Sequence, residues 1–175
     1  MSQQFVSERA GLVGLARRVI ELWALAGGLL LLAIVLANAY SLAADILFKQ
    51  PLRGDFELVT VGVAVAAFAF LPYCQITGAN VTADIFTQNA GPRTVAALGL
   101  LSAIIALAIS VLLLWRMSAG LISLREYSET TEVMGFVIWY AYVPIVVSLA
   151  LLAIACLISV YDSVRGVKPA RRPTP

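Results

Sequence analysis

The chain has 175 residues and a formal net charge of +2; 61% of its residues are apolar and only 13% are charged. Soluble globular domains contain about 45–50% apolar and about 25% charged residues, so this composition excludes an ordinary soluble domain and makes lipid the expected solvent. We therefore expect a membrane protein that contacts the lipid bilayer and binds no nucleic acid.

Residues 5–21 combine apolar and charged side chains at a partly helical spacing, with the charges clustered to one side. This pattern predicts a short helix that lies on the inner membrane surface before the first span. The alternative is a frayed tail that leads into the first turns of that span. The apolar run that follows exceeds the roughly 7–15 residues of a signal-peptide core, so we expect an uncleaved anchor.

Four stretches without a charged residue define the predicted fold. They contain 23, 16, 21 and 29 residues and occupy residues 22–44, 58–73, 95–115 and 133–161. Uncharged residues continue beyond the second stretch, so its span is extended to about residue 75. A helix of about 20 residues crosses the ~30 Å hydrocarbon core, and only helices and closed barrels satisfy their backbone groups in lipid. The chain is predicted to be an all-α membrane protein with four transmembrane helices in one domain, residues 1–175.

Polar residues mark one face of the first span near its end: Asn38, Ser41 and Asp45 follow each other at spacings of three and four. Such a stripe in lipid should face protein or water. It could line a solute path. We favour a structural role, in which it hydrogen-bonds a neighbouring helix or marks the end of the span, because no other span holds a charged partner. These residues, with Glu57 before the second span, are candidates for contact with a partner protein.

The third span carries a stripe of small residues at alternating spacings of three and four: Ala96, Gly99, Ala103, Ala106 and Ser110. Small residues let helix backbones approach closely in a membrane, where packing drives helix association. The stripe is therefore predicted to be a helix-contact face, within the bundle or toward a partner. Chance is the alternative, because alanine is abundant in this chain.

The fourth stretch is long for one straight crossing, since its 29 residues extend about 43 Å as a helix. We expect it to tilt, bend or project beyond the membrane, and Pro144 is a natural kink site because it removes one backbone hydrogen bond. The tail that follows, residues 167–175, contains three prolines and three basic residues. It is expected to be disordered in the cytoplasm.

The distribution of Lys and Arg predicts the orientation, because cytoplasmic flanks carry an excess of these residues. The two tails and the second connection together contain eight of them, whereas the first and third connections contain four. Both termini should therefore lie in the cytoplasm. Six of the ten acidic residues fall on the opposite side.

The groups that usually carry out membrane catalysis are missing from the sequence. It contains no histidine, and its two cysteines, Cys74 and Cys156, form no CxxC pair. Haem and zinc sites are therefore poor candidates, and no cofactor or metal is expected. The spans also lack the buried charges of a transport path. We expect an accessory membrane subunit and no enzyme; the alternative is a stand-alone or homo-oligomeric small exporter that depends on Asp45 and Glu57.

Several short motifs occur in an order that resembles the pattern of a known protein family. Residues 51–58 read PLRGDFEL, residues 71–75 read LPYCQ, and residues 78–86 read GANVTADIF. They are followed by ETT at 129–131, Gly135, and WYAYVP at 139–144. With the length and the four spans, this order resembles the small membrane subunit, of DctQ type, of tripartite ATP-independent periplasmic (TRAP) transporters. The chain departs from the family pattern at Asn80, where the family often has His, and in a less basic second connection.

The resemblance implies a scaffold subunit in the bacterial inner membrane. In such a system a periplasmic solute-binding protein captures an organic acid, such as a C4-dicarboxylate. A large permease subunit then moves the acid by an elevator mechanism driven by a sodium gradient. The polar stripe of the first span and the small-residue stripe of the third would contact the large subunit, and the acidic outer loops would contact the binding protein.

Overall fold

The computed structural model describes residues 2–49, 54–78 and 92–164. Its helices are, in chain order, α1 (Ser2–Phe48), α2 (Asp55–Thr77), α3 (Pro92–Tyr127) and α4 (Trp139–Val164). Each of these helices is long and apolar enough to cross a membrane, and the described residues form no strand. The prediction of an all-α protein with four membrane spans is confirmed. Asn80 and residues 167–175 lie outside the described residues.

Helix α1 is much longer than the first span requires. It contains 47 residues, which corresponds to a length of about 70 Å. The segment predicted to form a surface helix, residues 5–21, is helical, but it continues without a break into the first span. The reason is that residues 2–48 contain no proline that would interrupt the backbone hydrogen bonds.

Helices α2 and α3 extend beyond the uncharged stretches that predicted them. Glycines in the left-handed backbone region flank α2: Gly54 has a φ of 76° and Gly78 a φ of 66°, a conformation that glycine adopts without steric cost. Helix α3 continues past Trp115 and includes the charged residues Arg116 and Arg125 in its last turns. The uncharged run therefore covers only part of α3, and the helix itself continues beyond it.

Helix α4 begins at Trp139, later than the predicted start of the fourth span at residue 133. Residues 133–138 belong to the loop between α3 and α4. Two features keep this loop out of the helix: Gly135 has a φ of 63°, and Thr130 pairs with Val137 in an isolated β-bridge. An uncharged run does not by itself distinguish an apolar loop from a helix, which is why the sequence placed the start too early.

The helices form an open row rather than a closed bundle. Helix α2 packs between α1 and α4, and α3 packs on α4 at the other end of the row. Helices α1 and α4 touch over a small area. The buried residues lie mainly on the faces between neighbours, such as Ala66 and Ala69 on α2 and Leu149 and Ala155 on α4. The row leaves α1 and α3 as the two outer helices.

Small residues let α1 and α2 approach closely. A Cβ atom added to Gly27 on α1 would lie 2.7 Å from the Cβ of Ala69 on α2, closer than real side chains approach. A Cβ atom added to Gly62 on α2 would overlap the side chain of Ile34 on α1. Close approach of this kind is how membrane helices gain packing energy without a hydrophobic driving force. The spacing of small residues predicts such a contact face on the third span alone.

Candidate partner interface

The candidate interface residues lie in two separate parts of the row. The first part is the acidic end, defined here as the end where α1 finishes, α2 begins and the α3–α4 loop lies. The second is the small-residue stripe of α3. The opposite end, where α1 begins and α2 finishes, is called the basic end.

At the acidic end, Ser41 connects α1 to the start of α2. Its side chain is buried, and its Oγ donates a hydrogen bond to Oδ2 of Asp55 at 2.7 Å. Oδ1 of the same carboxylate accepts the backbone N–H of Phe56 at 2.7 Å. A carboxylate in the first turn of a helix is stabilised by the helix dipole. This arrangement joins two helices whose connecting loop lies outside the described residues.

The other two members of the polar stripe differ from Ser41. Asn38 is exposed and its amide forms no hydrogen bond within the part of the chain that the structure describes, whereas Asp45 is half-buried. The stripe therefore runs along the edge of the contact between α1 and α2, and only Ser41 points into it. An amide that faces lipid without a hydrogen bond is unfavourable in free energy, and a hydrogen bond with another membrane helix would remove this penalty.

Glu57 on α2 holds the loop between α3 and α4. Its Oε1 accepts the backbone N–H of Val133 at 2.9 Å, and its Oε2 accepts that of Met134 at 3.1 Å. Hydrogen bonds to an ionised carboxylate are shorter and stronger than bonds between neutral groups. The carboxylate therefore anchors a loop that lies more than seventy residues away in the chain.

The loop itself is held as a small hairpin above the first turn of α2. The backbone N–H of Thr131 donates to the carbonyl of Phe136 at 2.8 Å, and the N–H of Phe136 donates to the Thr131 Oγ1 at 3.0 Å. At its tip the Met134 side chain covers Gly54, where any Cβ atom would overlap it. Gly54 is thus required both by its backbone angle and by this close approach.

Aromatic side chains support the same loop from the α3–α4 side. The guanidinium of Arg125 near the end of α3 lies 5.9 Å from the ring centroid of Trp139 at the start of α4. Trp139 stacks on Tyr140, with ring centroids 4.0 Å apart. A cation over an indole ring is weakly attractive at exposed sites. The acidic end is therefore an ordered cap built from α2, the loop and the start of α4.

The small-residue stripe of α3 divides into a packed part and an open part. Ala103 and Ser110 are buried, with exposed fractions of 6% and 1%, on the helix that packs on α4. The Ser110 hydroxyl donates a hydrogen bond to the carbonyl of Leu107 in its own helix at 2.8 Å. These residues take part in contacts within the row.

The other members of the stripe lie elsewhere on α3. Ala106 is half-buried, and within the described ranges no atom of another element lies within 4 Å of the position that a Cβ at Gly99 would take. Ala96 lies in the first turns of the helix. The structure therefore brings Ala103 and Ser110 together with α4 and leaves the Gly99 position open to lipid or to another protein.

Neutral polar side chains cross-link the spans, and no pattern in the sequence predicts these contacts. The indole Nε1 of Trp23 on α1 donates to Ser148 Oγ on α4 at 2.9 Å, and the Ser148 hydroxyl donates to the carbonyl of Pro144 at 2.7 Å. Gln75 on α2 approaches Ser159 on α4, with Nε2 and Oγ 3.4 Å apart. Trp23 is the second residue of the first uncharged stretch. Its bonded partner could not be known without the order of the helices.

Broad apolar surfaces remain uncovered on the two outer helices. Exposed fractions of 55–66% occur along the membrane part of α1, at Leu22, Leu25, Leu29, Leu32 and Leu36. Helix α3 exposes a similar surface at Leu101, Ile105, Ile109, Leu112 and Trp115. In a membrane these faces contact lipid or another membrane protein. Among the described residues no cluster of His, Cys, Asp and Glu could hold a metal ion.

Comparison with known protein families identifies a match. The model of the family described as tripartite ATP-independent periplasmic transporters, DctQ component, matches residues 46–166, which is more than half of the chain. The matched region includes Glu57, the loop that it anchors, and helices α2, α3 and α4. No curated protein and no solved structure matches the chain.

Proposed function

Because the chain belongs to the DctQ family, the small membrane components of TRAP transporters, we propose that it is the fixed scaffold subunit beside a large elevator-type permease. The resemblance seen in the sequence is confirmed by the family match. The family match and the four apolar helices establish that the chain is a multi-pass membrane component of a transporter. The scaffold role is the step beyond them.

The proposed system takes up an organic acid, such as a C4-dicarboxylate, in symport with sodium. A periplasmic solute-binding protein delivers the acid, and the large permease subunit moves it across the bacterial inner membrane. In this arrangement both termini of the chain are cytoplasmic, and the acidic end faces the periplasm, where the binding protein docks. The excess of Lys and Arg at the opposite end supports this orientation.

One observation supports the scaffold role most strongly: Glu57, one of the two carboxylates on which a solitary exporter would depend, is engaged in holding the chain together. Glu57 binds two backbone N–H groups of the loop, and Asp55 binds Ser41. The cross-links from Trp23 to Ser148 and from Gln75 to Ser159 join neutral groups. Transport paths are usually lined by ionisable groups inside the membrane that can change partners. A scaffold needs rigid contacts instead.

Affinity purification in mild detergent tests the proposal. A tagged chain expressed with its genomic neighbours should recover a large membrane protein of roughly a dozen spans. That partner should remain bound at high salt, because the exposed faces of α1 and α3 are apolar. Recovery of the chain alone, or as a homo-oligomer, would contradict the scaffold role and favour the small exporter.

A further inference from the structure

An open groove lies between α1 and α2 at the basic end. Its volume is about 690 Å³, within the ~300–1,000 Å³ range of small-molecule sites. Its mouth carries two charged residues of α1, Arg18 and Glu21, and its floor and walls are apolar, formed in part by Leu25, Gly28 and Phe70. The groove is therefore amphipathic along its length.

The charged mouth lies at the level of the lipid headgroups. Arg18 and Glu21 immediately precede the uncharged stretch that starts at Leu22, and Tyr73 from the last turns of α2 lines the same groove. Charged and aromatic residues at the end of a span occupy the interface between lipid and water. The side chains of Arg18 and Glu21 form no ion pair or hydrogen bond within the part of the chain that the structure describes. Two opposite charges are thus available to a ligand.

From its charged mouth to its apolar floor, the groove extends over about the depth of one leaflet. Ten residues of helix separate Arg18 from Gly28, which corresponds to a rise of about 15 Å, half of the ~30 Å hydrocarbon core. Gly28 keeps the floor open, since the nearest atom to an added Cβ would be Phe70 Cζ at 3.8 Å. A larger side chain at this position would project into the groove.

We propose that this groove binds a phospholipid whose headgroup carries both a phosphate and a primary ammonium. The phosphate pairs with the Arg18 guanidinium, the ammonium pairs with the Glu21 carboxylate, and one acyl chain lies along Leu25, Gly28 and Phe70. The charge pattern favours this occupant over an anionic lipid, because an anionic headgroup would leave Glu21 unpaired beside a negative charge. A primary ammonium donates hydrogen bonds to the carboxylate, which a trimethylammonium headgroup cannot do.

Native mass spectrometry of the purified, delipidated full chain tests this site. The chain is mixed with equal amounts of phosphatidylethanolamine, phosphatidylcholine and phosphatidylglycerol that carry the same acyl chains, so that the headgroup alone distinguishes the adducts. We expect the phosphatidylethanolamine adduct to exceed each of the others about tenfold, the effect of one charge-assisted hydrogen bond. Equal retention of the three lipids, or a preference for phosphatidylglycerol, would overturn the proposal.

Variants separate the two ends of the site. Glu21→Gln should abolish the preference for phosphatidylethanolamine over phosphatidylcholine, and Arg18→Gln should weaken binding of both. Arg116→Gln and Glu126→Gln change the same kinds of charge on α3, away from the groove, and should leave lipid binding unchanged. Retention of the preference in Glu21→Gln would contradict the assignment.

Gly28→Leu tests the acyl part, because the new side chain fills the floor of the groove. It should reduce binding of all three lipids while the chain still elutes as a single species in detergent. Glu21→Gln alters no packing contact, so it decides the question even where Gly28→Leu fails to fold.

The lipid measurement uses the chain alone, so its outcome is separate from whether a permease co-purifies. A loss of permease binding in Arg18→Gln with unchanged lipid binding would assign the groove to the partner instead and overturn the proposal.

Discussion

The carboxylate of Glu57 accepts the backbone N–H of Val133 at 2.9 Å and so joins the start of α2 to the loop before α4. The second carboxylate oxygen binds the next N–H in the loop. This contact gives the acidic end a defined surface, and it fastens the loop to α2 through one side chain.

Replacing Glu57 by Ala should release the loop from α2. We expect the backbone amides of Val133 and Met134 to exchange with deuterium about tenfold faster, because local opening no longer breaks charge-assisted hydrogen bonds. Hydrogen exchange followed by mass spectrometry measures this directly. Glu126→Ala, which removes an exposed carboxylate near the end of α3, is the matched control. Unchanged exchange in Glu57→Ala would show that the hairpin holds itself without α2.

Adjacent glycines on α1 should respond in opposite ways to the same substitution. Gly27→Ala places a methyl group against Ala69 and should destabilise the protein by ~1–3 kcal/mol, the usual cost of overpacking. Gly28→Ala places the methyl group at an ordinary contact distance from Phe70. It should be neutral or should stabilise the helix by up to ~1 kcal/mol, because alanine is the better helix former.

Thermal unfolding of the two variants in the same detergent provides the comparison. A lower midpoint for Gly27→Ala than for Gly28→Ala is the expected result. Equal midpoints would mean that α1 and α2 separate easily at Gly27, and that the close approach between them contributes little to stability.

A larger side chain at Gly99, in the open part of the α3 stripe, should reduce recovery of the permease only if this position contacts the permease. Among the described residues, no atom of a neighbouring element lies within 4 Å of a Cβ added at Gly99, so we expect Gly99→Leu to leave the isolated subunit folded. If the Gly99 position packs against the permease, the same variant should recover several-fold less of it, since the new side chain prevents close approach of the two helices. Recovery is measured by quantitative mass spectrometry of the affinity-purified complex.

Ala108→Leu is the control for this experiment. Nine residues along the helix place Ala108 on the side of α3 opposite Gly99, and it is also exposed. Loss of the permease in Ala108→Leu but not in Gly99→Leu would place the contact on the other face of α3. Ala103→Leu does not test contact with the permease, because Ala103 is already buried within the row of helices.

The exposed amide of Asn38 offers a second test of where the partner binds. If a permease helix supplies the missing hydrogen bonds, Asn38→Leu should lower recovery of the permease by about tenfold or less, given ~0.6–2 kcal/mol for one such bond in a membrane. Asn38→Gln, which keeps the amide, should retain part of the binding. Equal recovery from both variants and the unmodified chain would remove α1 as a hydrogen-bonding surface for the permease.

The four spans were predictable from the sequence because a helix that crosses lipid requires a long run of residues without charge. The start of α4 was not, since residues 133–138 are equally uncharged and are kept out of the helix by Gly135 and by the loop hydrogen bonds. The role of Glu57 was also hidden, because its partners are backbone groups far along the chain.

The contact faces were only partly predictable, for a related reason. The stripe on α3 stands out as a repeat, and Ala103 and Ser110 are buried on it. The closest approach between helices instead depends on single glycines, Gly27 and Gly62, each matched to one residue of its neighbour. Which helices are neighbours follows from the row order, and hydropathy carries no information about that order.

Solute flux in proteoliposomes tests the central claim most directly. Vesicles that contain the purified complex of this chain with its permease should accumulate a C4-dicarboxylate or related organic acid when the binding protein and an inward sodium gradient are supplied. Vesicles that contain this chain alone should show no flux under the same conditions. Sodium-driven uptake by the chain alone would contradict the account, because the subunit would then be the transporter and not its scaffold.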